Sequence, residues 1–90
     1  GMVAITVSLN TKTNEIIAVP QLFLKGVIDQ ESKKMTEKIV VEIEKALKIK
    51  LQTRTKFTEL KLIMKKIASE LIYEKTGRKP MIIPVIMAKN

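Results

Sequence analysis

The sequence predicts a small α+β domain of two layers, in which a three-stranded sheet carries two helices on one face. Three observations lead to this fold class: an alternating apolar segment near the start, two amphipathic helical segments in the middle, and a short apolar segment at the end. The predicted order is strand, strand, helix, helix, strand. At 90 residues the chain has room for a single domain, which we place at 1–90.

The first two strands are predicted from their apolar patterns. Apolar residues alternate with small or polar ones over 3–10, which is typical of a half-buried strand. A polar turn follows, and a second apolar stretch then runs over 16–28 and is interrupted by Pro20. Because proline cannot donate to a sheet ladder, we expect a strand on one or both sides of a bend near Pro20 and Gln21. Gly26 indicates a further bend or a close backbone approach, and the alternative is that it only relieves the backbone conformation.

The first helix is predicted from about Ser32 to Lys50, with Asp29 or Ser32 as its N-terminal cap. Its apolar residues recur at helical spacing and define one buried face. The residues of that face are Met35, Ile39, Ile43, Ala46 and Leu47. Glu44 and Lys48 form an i,i+4 pair in the favourable order.

The second helix is predicted from about Lys56 to Lys75, with Thr55 as its cap. Its apolar stripe repeats in steps of three and four. The stripe comprises Phe57, Leu60, Met64, Ile67 and Leu71, and is widened by Ala68 and Ile72. Gly77 stands where a helix end favours a left-handed residue, and Pro80 prevents continuation of the helix.

The last strand, predicted over 80–88, is apolar on both faces. Two helices can cover only one face of so small a sheet, so we expect a partner surface on the other face. The interface candidates are Met81, Ile83, Val85 and Met87 on this strand, and Leu62 and Tyr73 on the second helix. The alternative for the two helix residues is ordinary exposure, since single exposed apolar side chains need no explanation.

Composition argues against an enzyme in this chain alone. The sequence contains no histidine and no cysteine, which excludes disulfides, thiolate or imidazole metal sites and His-dependent triads. Glu42 and Glu70 are candidates for a carboxylate pair, but solvated helix faces are the more common place for such residues. Asp29 and Glu31 alone make a weak cation site. We therefore expect no catalytic residue, metal or cofactor here.

The formal net charge of +8 favours an acidic partner. Five basic residues are candidates for RNA phosphate contact: Lys61, Lys65, Lys66, Arg78 and Lys79. The alternative is that these side chains only keep the helix surface soluble. Three aromatic residues are too few for a base-stacking platform. No apolar run is long enough to span a membrane and no signal peptide is visible, so we expect a cytoplasmic protein without a membrane partner.

The closing segment 71–87 carries a family resemblance. Its YEKT, its basic pair, its P-M-I-x-P and its final I-M closely resemble the end of ribonuclease J, an RNA-degrading enzyme of bacteria and archaea. The segment 3–15, with its N-T-K-T-x-E turn, and the segment 20–28 are similar to the same family. The resemblance covers nearly the whole chain and identifies it as the small C-terminal domain of such a protein.

The resemblance implies a parent enzyme with a zinc-dependent metallo-β-lactamase and β-CASP catalytic part, which cuts RNA as an endonuclease and a 5′-to-3′ exonuclease. Zinc is expected only in that catalytic part, and no catalytic residue can be carried over to this chain. The resemblance also implies a partner, either a second copy or a paralogous ribonuclease J subunit, in a dimer or tetramer, with RNA bound through the parent.

One departure concerns Lys25, which stands where the family commonly has arginine before a glycine. It suggests a diverged paralogue. Gly1 before Met2 is typical of a residue left by tag removal, so we expect a piece of a longer protein.

Three functional hypotheses remain open at this point. The chain is an assembly domain that associates through its sheet face and last strand, a module that holds RNA phosphates near a remote active site, or a free-standing basic domain.

Overall fold

The structure, a computed structural model, describes residues 1–25 and 32–89. Its elements are β1 (Met2–Asn10), β2 (Glu15–Ile16), β3 (Gln21–Lys25), α1 (Ser32–Lys50), α2 (Phe57–Thr76) and β4 (Met81–Lys89). The predicted α+β class and the order of elements are confirmed. The predictions made for Gly26, Asp29 and Glu31 lie outside the described residues.

The sheet is built around β1. β4 runs parallel to it along its whole length, from Met2 opposite Met81 to Asn10 opposite Lys89. β3 and β2 are antiparallel to β1 and occupy its other edge one after the other. The four segments therefore fill three strand positions. The second strand is split around the buried Pro20, as its missing N–H predicted.

The core lies between the sheet and the two helices. The alternate β1 residues Val3, Ile5, Val7 and Leu9 point toward the helices and are at most 1% exposed. The helices contribute the buried residues Met35, Ile39, Ile43, Leu47, Leu60, Met64, Ala68 and Ile72. The apolar side chains that alternate in β1 therefore pack against those that recur at helical spacing in α1 and α2, and together they form one apolar layer.

The buried face and the ion pair predicted for α1 agree with the structure, whereas its predicted cap, Asp29 or the side chain of Ser32, lies outside what the structure describes. The four buried residues of α1 all belong to the predicted face, on which Ala46 is half-buried. The predicted i,i+4 pair forms, with Lys48 Nζ 3.6 Å from Glu44 Oε1.

The start of α2 differs from the prediction. The N-cap position is Lys56, which makes no side-chain capping bond. The Thr55 hydroxyl instead donates to the Lys50 carbonyl at 2.9 Å, at the end of α1. Phe57, predicted in the core stripe, is 37% exposed. Because α2 packs against both α1 and β4, its deepest line runs between them and includes Ala68 and Ile72.

Gly77 ends α2 as predicted. It adopts a left-handed φ of 70°, and its N–H donates to the Tyr73 carbonyl at 2.8 Å. The Arg78 N–H then donates to the Thr76 hydroxyl at 3.1 Å. This turn directs the chain from the end of α2 into β4.

The polar turn after β1 connects two parts of the molecule. Asn10 Oδ1 accepts bonds from the N–H groups of Lys12 and Thr13 at 2.9 and 3.1 Å. Asn14 has a left-handed φ of 58°, and its Nδ2 donates to the Leu51 carbonyl at 2.6 Å. The turn is thereby fixed to the end of α1.

Candidate interaction surface

The sheet face away from the helices, which we call the open face, is the most distinctive surface of the molecule. The strand register places Lys25, Met2 and Met81 in one row of side chains across it. The rows that follow are Phe23, Ala4 and Ile83, and then Gln21, Thr6 and Val85. Among the described residues, neither helix packs against this face, because both lie on the side of the buried β1 residues.

Large apolar side chains dominate the open face. Six of them are 37–66% exposed: Met2, Phe23, Met81, Ile83, Val85 and Met87. The charged side chains lie near the two ends, with Lys25 in the first row and Glu15 and Lys89 beside Asn10 in the last. The middle of the face therefore consists of apolar and uncharged polar side chains, and a contiguous apolar patch of this kind marks an interaction surface.

The structure separates the predicted interface residues into two groups. The four residues of β4, Met81, Ile83, Val85 and Met87, all point to the open face. Leu62 and Tyr73 are exposed as well, but they lie on α2 in the other layer. The prediction that these residues form an interface stays a prediction, and only the β4 group shares one surface.

Sequence reasoning missed Phe23 and Met2, which also lie on the open face. Phe23 was missed because the break at Pro20 concealed the register of the second strand. The signal in the sequence is that Leu22 and Leu24 alternate with Gln21, Phe23 and Lys25, which puts Phe23 on the side of the two polar residues.

The basic candidates for RNA contact fall into three places. Lys61 and Lys65 line a groove between α2 and β4. Lys66 lies on the exposed side of α2. Arg78 and Lys79 follow the helix end, where Lys79 Nζ lies 5.3 Å from the centre of the Tyr73 ring. Between Lys65 and the helix end at Thr76 the helix axis is about 16 Å long, at ~1.5 Å per residue. RNA contact by these residues stays a prediction.

The acidic candidates form a solvated groove. Glu42 and Glu70 line a shallow cleft between α1 and α2 together with Lys38. Within the part of the chain that the structure describes, no group of three or more acidic, histidine or cysteine residues is placed to hold a metal ion. The zinc that the resemblance implies therefore has no matching ligand set in these residues. Neither of the described helices is long and apolar enough to cross a membrane.

Comparison with known proteins agrees with the sequence resemblance. The chain matches the family described as the ribonuclease J C-terminal domain over residues 1–89. It is 34% identical to ribonuclease J 2 of Staphylococcus epidermidis over 88 residues, which are 96% of this chain and 16% of that protein. The ribonuclease J 2 proteins of Staphylococcus saprophyticus and Staphylococcus aureus are each 33% identical, with the same 96% and 16% coverage. The chain thus spans only a small part of these curated relatives, and it belongs to the ribonuclease J C-terminal domain family.

Proposed function

We propose that this domain is a non-catalytic assembly domain of a cytoplasmic ribonuclease J-like RNA hydrolase that acts in RNA processing and decay. Its open face packs against the same face of a second copy, or of a paralogous ribonuclease J subunit, in a dimer or tetramer. The observation that carries the proposal is the apolar open face, where six large side chains remain 37–66% exposed.

The strand arrangement supports a covered open face. β1 and β4 form a parallel pair of nine residues each, and parallel strands are usually covered on both faces. In β4 the helix-facing side chains are apolar, and so are four of those on the open side. Burial of such side chains contributes roughly 25 cal/mol per Å² of apolar surface to an association, against which stands the entropy lost when two copies join.

The charge distribution is compatible with a second copy as the occupant. Each copy carries a formal charge of +8, so two copies repel each other at long range. On the open face, however, the charged residues Lys25, Glu15 and Lys89 lie at the ends of the strands. Face-to-face packing therefore leaves the charges at a solvated rim and does not bury them in the contact.

The non-catalytic role rests on the residues present. The sequence has no histidine and no cysteine. The carboxylate pair considered for acid–base chemistry, Glu42 and Glu70, lies in an open cleft. Zinc-dependent RNA cleavage is proposed only for the remainder of the protein, in line with the resemblance.

The proposal is tested by placing a charge on the open face. In Ile83→Asp, a carboxylate stands in the middle of the contact, and we expect association to weaken by about tenfold or more. The measurement is the molar mass in solution by size exclusion with light scattering. Val41→Asp is the matched control, because Val41 is similarly exposed but lies on α1.

Circular dichroism establishes that both variants are folded. Unchanged association of a folded Ile83→Asp domain would show that the open face is not the interface. Leu62→Asp extends the test to the helix layer. If this variant alone dissociates the assembly, the interface lies on α2 and the proposal for the open face fails.

A further inference from the structure

The outer edge of β4 has a defined set of unpaired backbone groups. The Met81 N–H donates to the Gly1 carbonyl at 3.1 Å, and the Lys89 carbonyl accepts from the Thr11 N–H at 2.8 Å. In a parallel ladder, alternate residues direct both backbone groups to the same neighbour. The residues from Met81 to Lys89 with odd numbers therefore bond β1, and those with even numbers point away from it.

Among the described residues, no strand pairs with that outer edge. The outward groups are the N–H and carbonyl of Ile82, Ile86 and Ala88, and the carbonyl of Pro84. Pro84 is thus compatible with the middle of a strand because its missing N–H falls on the unpaired edge. A long, apolar free edge is a template for pairing with another extended chain.

The side chains that line a groove beside this edge indicate which composition a bound chain would have. The groove, of about 340 Å³, lies between α2 and β4. Leu62, Ile82 and Pro84 supply its apolar walls, and Lys61 and Lys65 supply its charges. Acidic side chains are absent from its lining within the described part of the chain.

The charges of α2 are segregated in a way that favours an acidic occupant. Glu70 and Glu74 line the clefts toward α1, and Glu59 shares their stripe by helical spacing with Ile63 and Ile67. The side toward β4 carries Lys61 and Lys65, and no glutamate of the described residues lines it. Three further basic residues flank the ends of β4: Arg78, Lys79 and Lys89.

We propose that the outer edge of β4 binds an extended acidic segment of a partner protein, which adds to the sheet as a further strand. Alternate side chains of that segment point toward the helix layer, where carboxylates meet Lys61 and Lys65. The others continue the open face beside Ile83 and Val85, where apolar residues fit. A second copy of this chain fits less well, because pairing of two β4 edges would bring Lys61 and Lys65 of both copies close together, where they repel each other. The edge and the open face are different surfaces, so this inference does not depend on the proposed function.

The most specific test follows the backbone amides. The probe is a nine-residue peptide in which glutamates alternate with valines, added to the domain while hydrogen exchange is monitored by NMR. We expect the N–H groups of Ile82, Ile86 and Ala88 to exchange freely in the domain alone and to become protected with the peptide. Ile83 and Val85 should be protected in both states, because their N–H groups bond β1. Peptide binding that leaves Ile82, Ile86 and Ala88 unprotected would overturn the proposal, and so would the absence of binding.

Substitutions on the edge provide an independent test. Ala88→Pro removes an outward N–H at an exposed position, and Ile86→Pro removes a more central one. We expect each to weaken peptide binding by about tenfold or more while the β1–β4 ladder is retained. Retention of the ladder is read from the protection of Ile83 and Val85. Unchanged affinity in a folded Ala88→Pro domain would contradict edge pairing.

The basic residues are tested by charge reversal. Lys61→Glu with Lys65→Glu should weaken the peptide complex by about three- to tenfold, whereas Lys33→Glu with Lys34→Glu on α1 is the matched control. A single-stranded oligouridine serves as the competing probe. If it binds through Lys61 and Lys65 and the peptide does not bind, these lysines belong to an RNA site and the proposal fails. Self-association that Ala88→Pro abolishes would identify a second copy as the occupant and would equally overturn it.

Discussion

The two faces of β4 have similar apolar side chains but opposite surroundings, and the inward face of β1 continues the covered side. Toward the helices, Ile82 is 7% exposed and Ile5 is fully buried. Toward the open face, the next residue, Ile83, is 37% exposed and Met81 is 66% exposed. Because the residues that the structure describes cover only one of the two apolar faces of β4, hydrophobic pattern and burial do not coincide. This difference is the observation behind the proposed contact of the open face with another surface.

The largest expected effect is the contrast between one isoleucine on each face. Ile5→Ala removes buried methylenes from the core and should lower the free energy of unfolding by about 2–5 kcal/mol. Ile83→Ala, in the monomer, should cost less than about 1 kcal/mol because the side chain is already partly in water. Urea denaturation of both variants measures the contrast. Equal losses would mean that the open face belongs to the folded core, and the comparison would not hold.

Replacing one valine on each face by threonine tests the same difference between the covered and the open face. Val7→Thr places a polar group where Val7 is 1% exposed, and we expect a loss of about 1–3 kcal/mol for an unsatisfied buried hydroxyl. Val85→Thr, on the open face, should change monomer stability by about 0.5 kcal/mol or less. Thermal unfolding at low protein concentration separates the two variants. A loss of stability in Val85→Thr as large as that in Val7→Thr would show that the open face is shielded from water even in the monomer.

A smaller effect is expected at the turn that connects α2 to β4. Gly77 has a φ of 70° and open space around its Cβ position, so Gly77→Ala is strained by its backbone alone. We expect a loss of about 1–2 kcal/mol in the free energy of unfolding. Gly77→Asn is the control and should lose less, since asparagine tolerates the left-handed region better. An equal loss for both variants would point to a side-chain effect in place of the backbone strain.

Much of the fold could be predicted because its local patterns agree with its packing. The alternation over 3–10 gave the buried side of β1, and the doubly apolar final segment led to an uncovered sheet face. Gly77 was recognised as a helix end because its left-handed conformation favours glycine.

Other features depend on tertiary contacts that no local pattern reveals. Thr55 has the chemistry of a helix cap, but it lies one residue before the N-cap position Lys56 and its hydroxyl donates to the Lys50 carbonyl at the end of α1. Phe23 reaches the open face only through the register of β3 on β1. The role of Pro84 depends on which edge of β4 faces β1, and this is determined by the parallel pairing of strands that are distant in the sequence.

Sedimentation velocity of the unmodified domain, across a wide range of protein and salt concentrations, tests the central claim most directly. If the apolar open face drives association, the domain should form a dimer or larger assembly whose affinity holds or rises with salt. The reason is that salt screens the repulsion between copies that each carry +8, while apolar contact is not weakened. A folded monomer at every concentration, or an assembly that dissociates as salt rises, would contradict assembly through the open face.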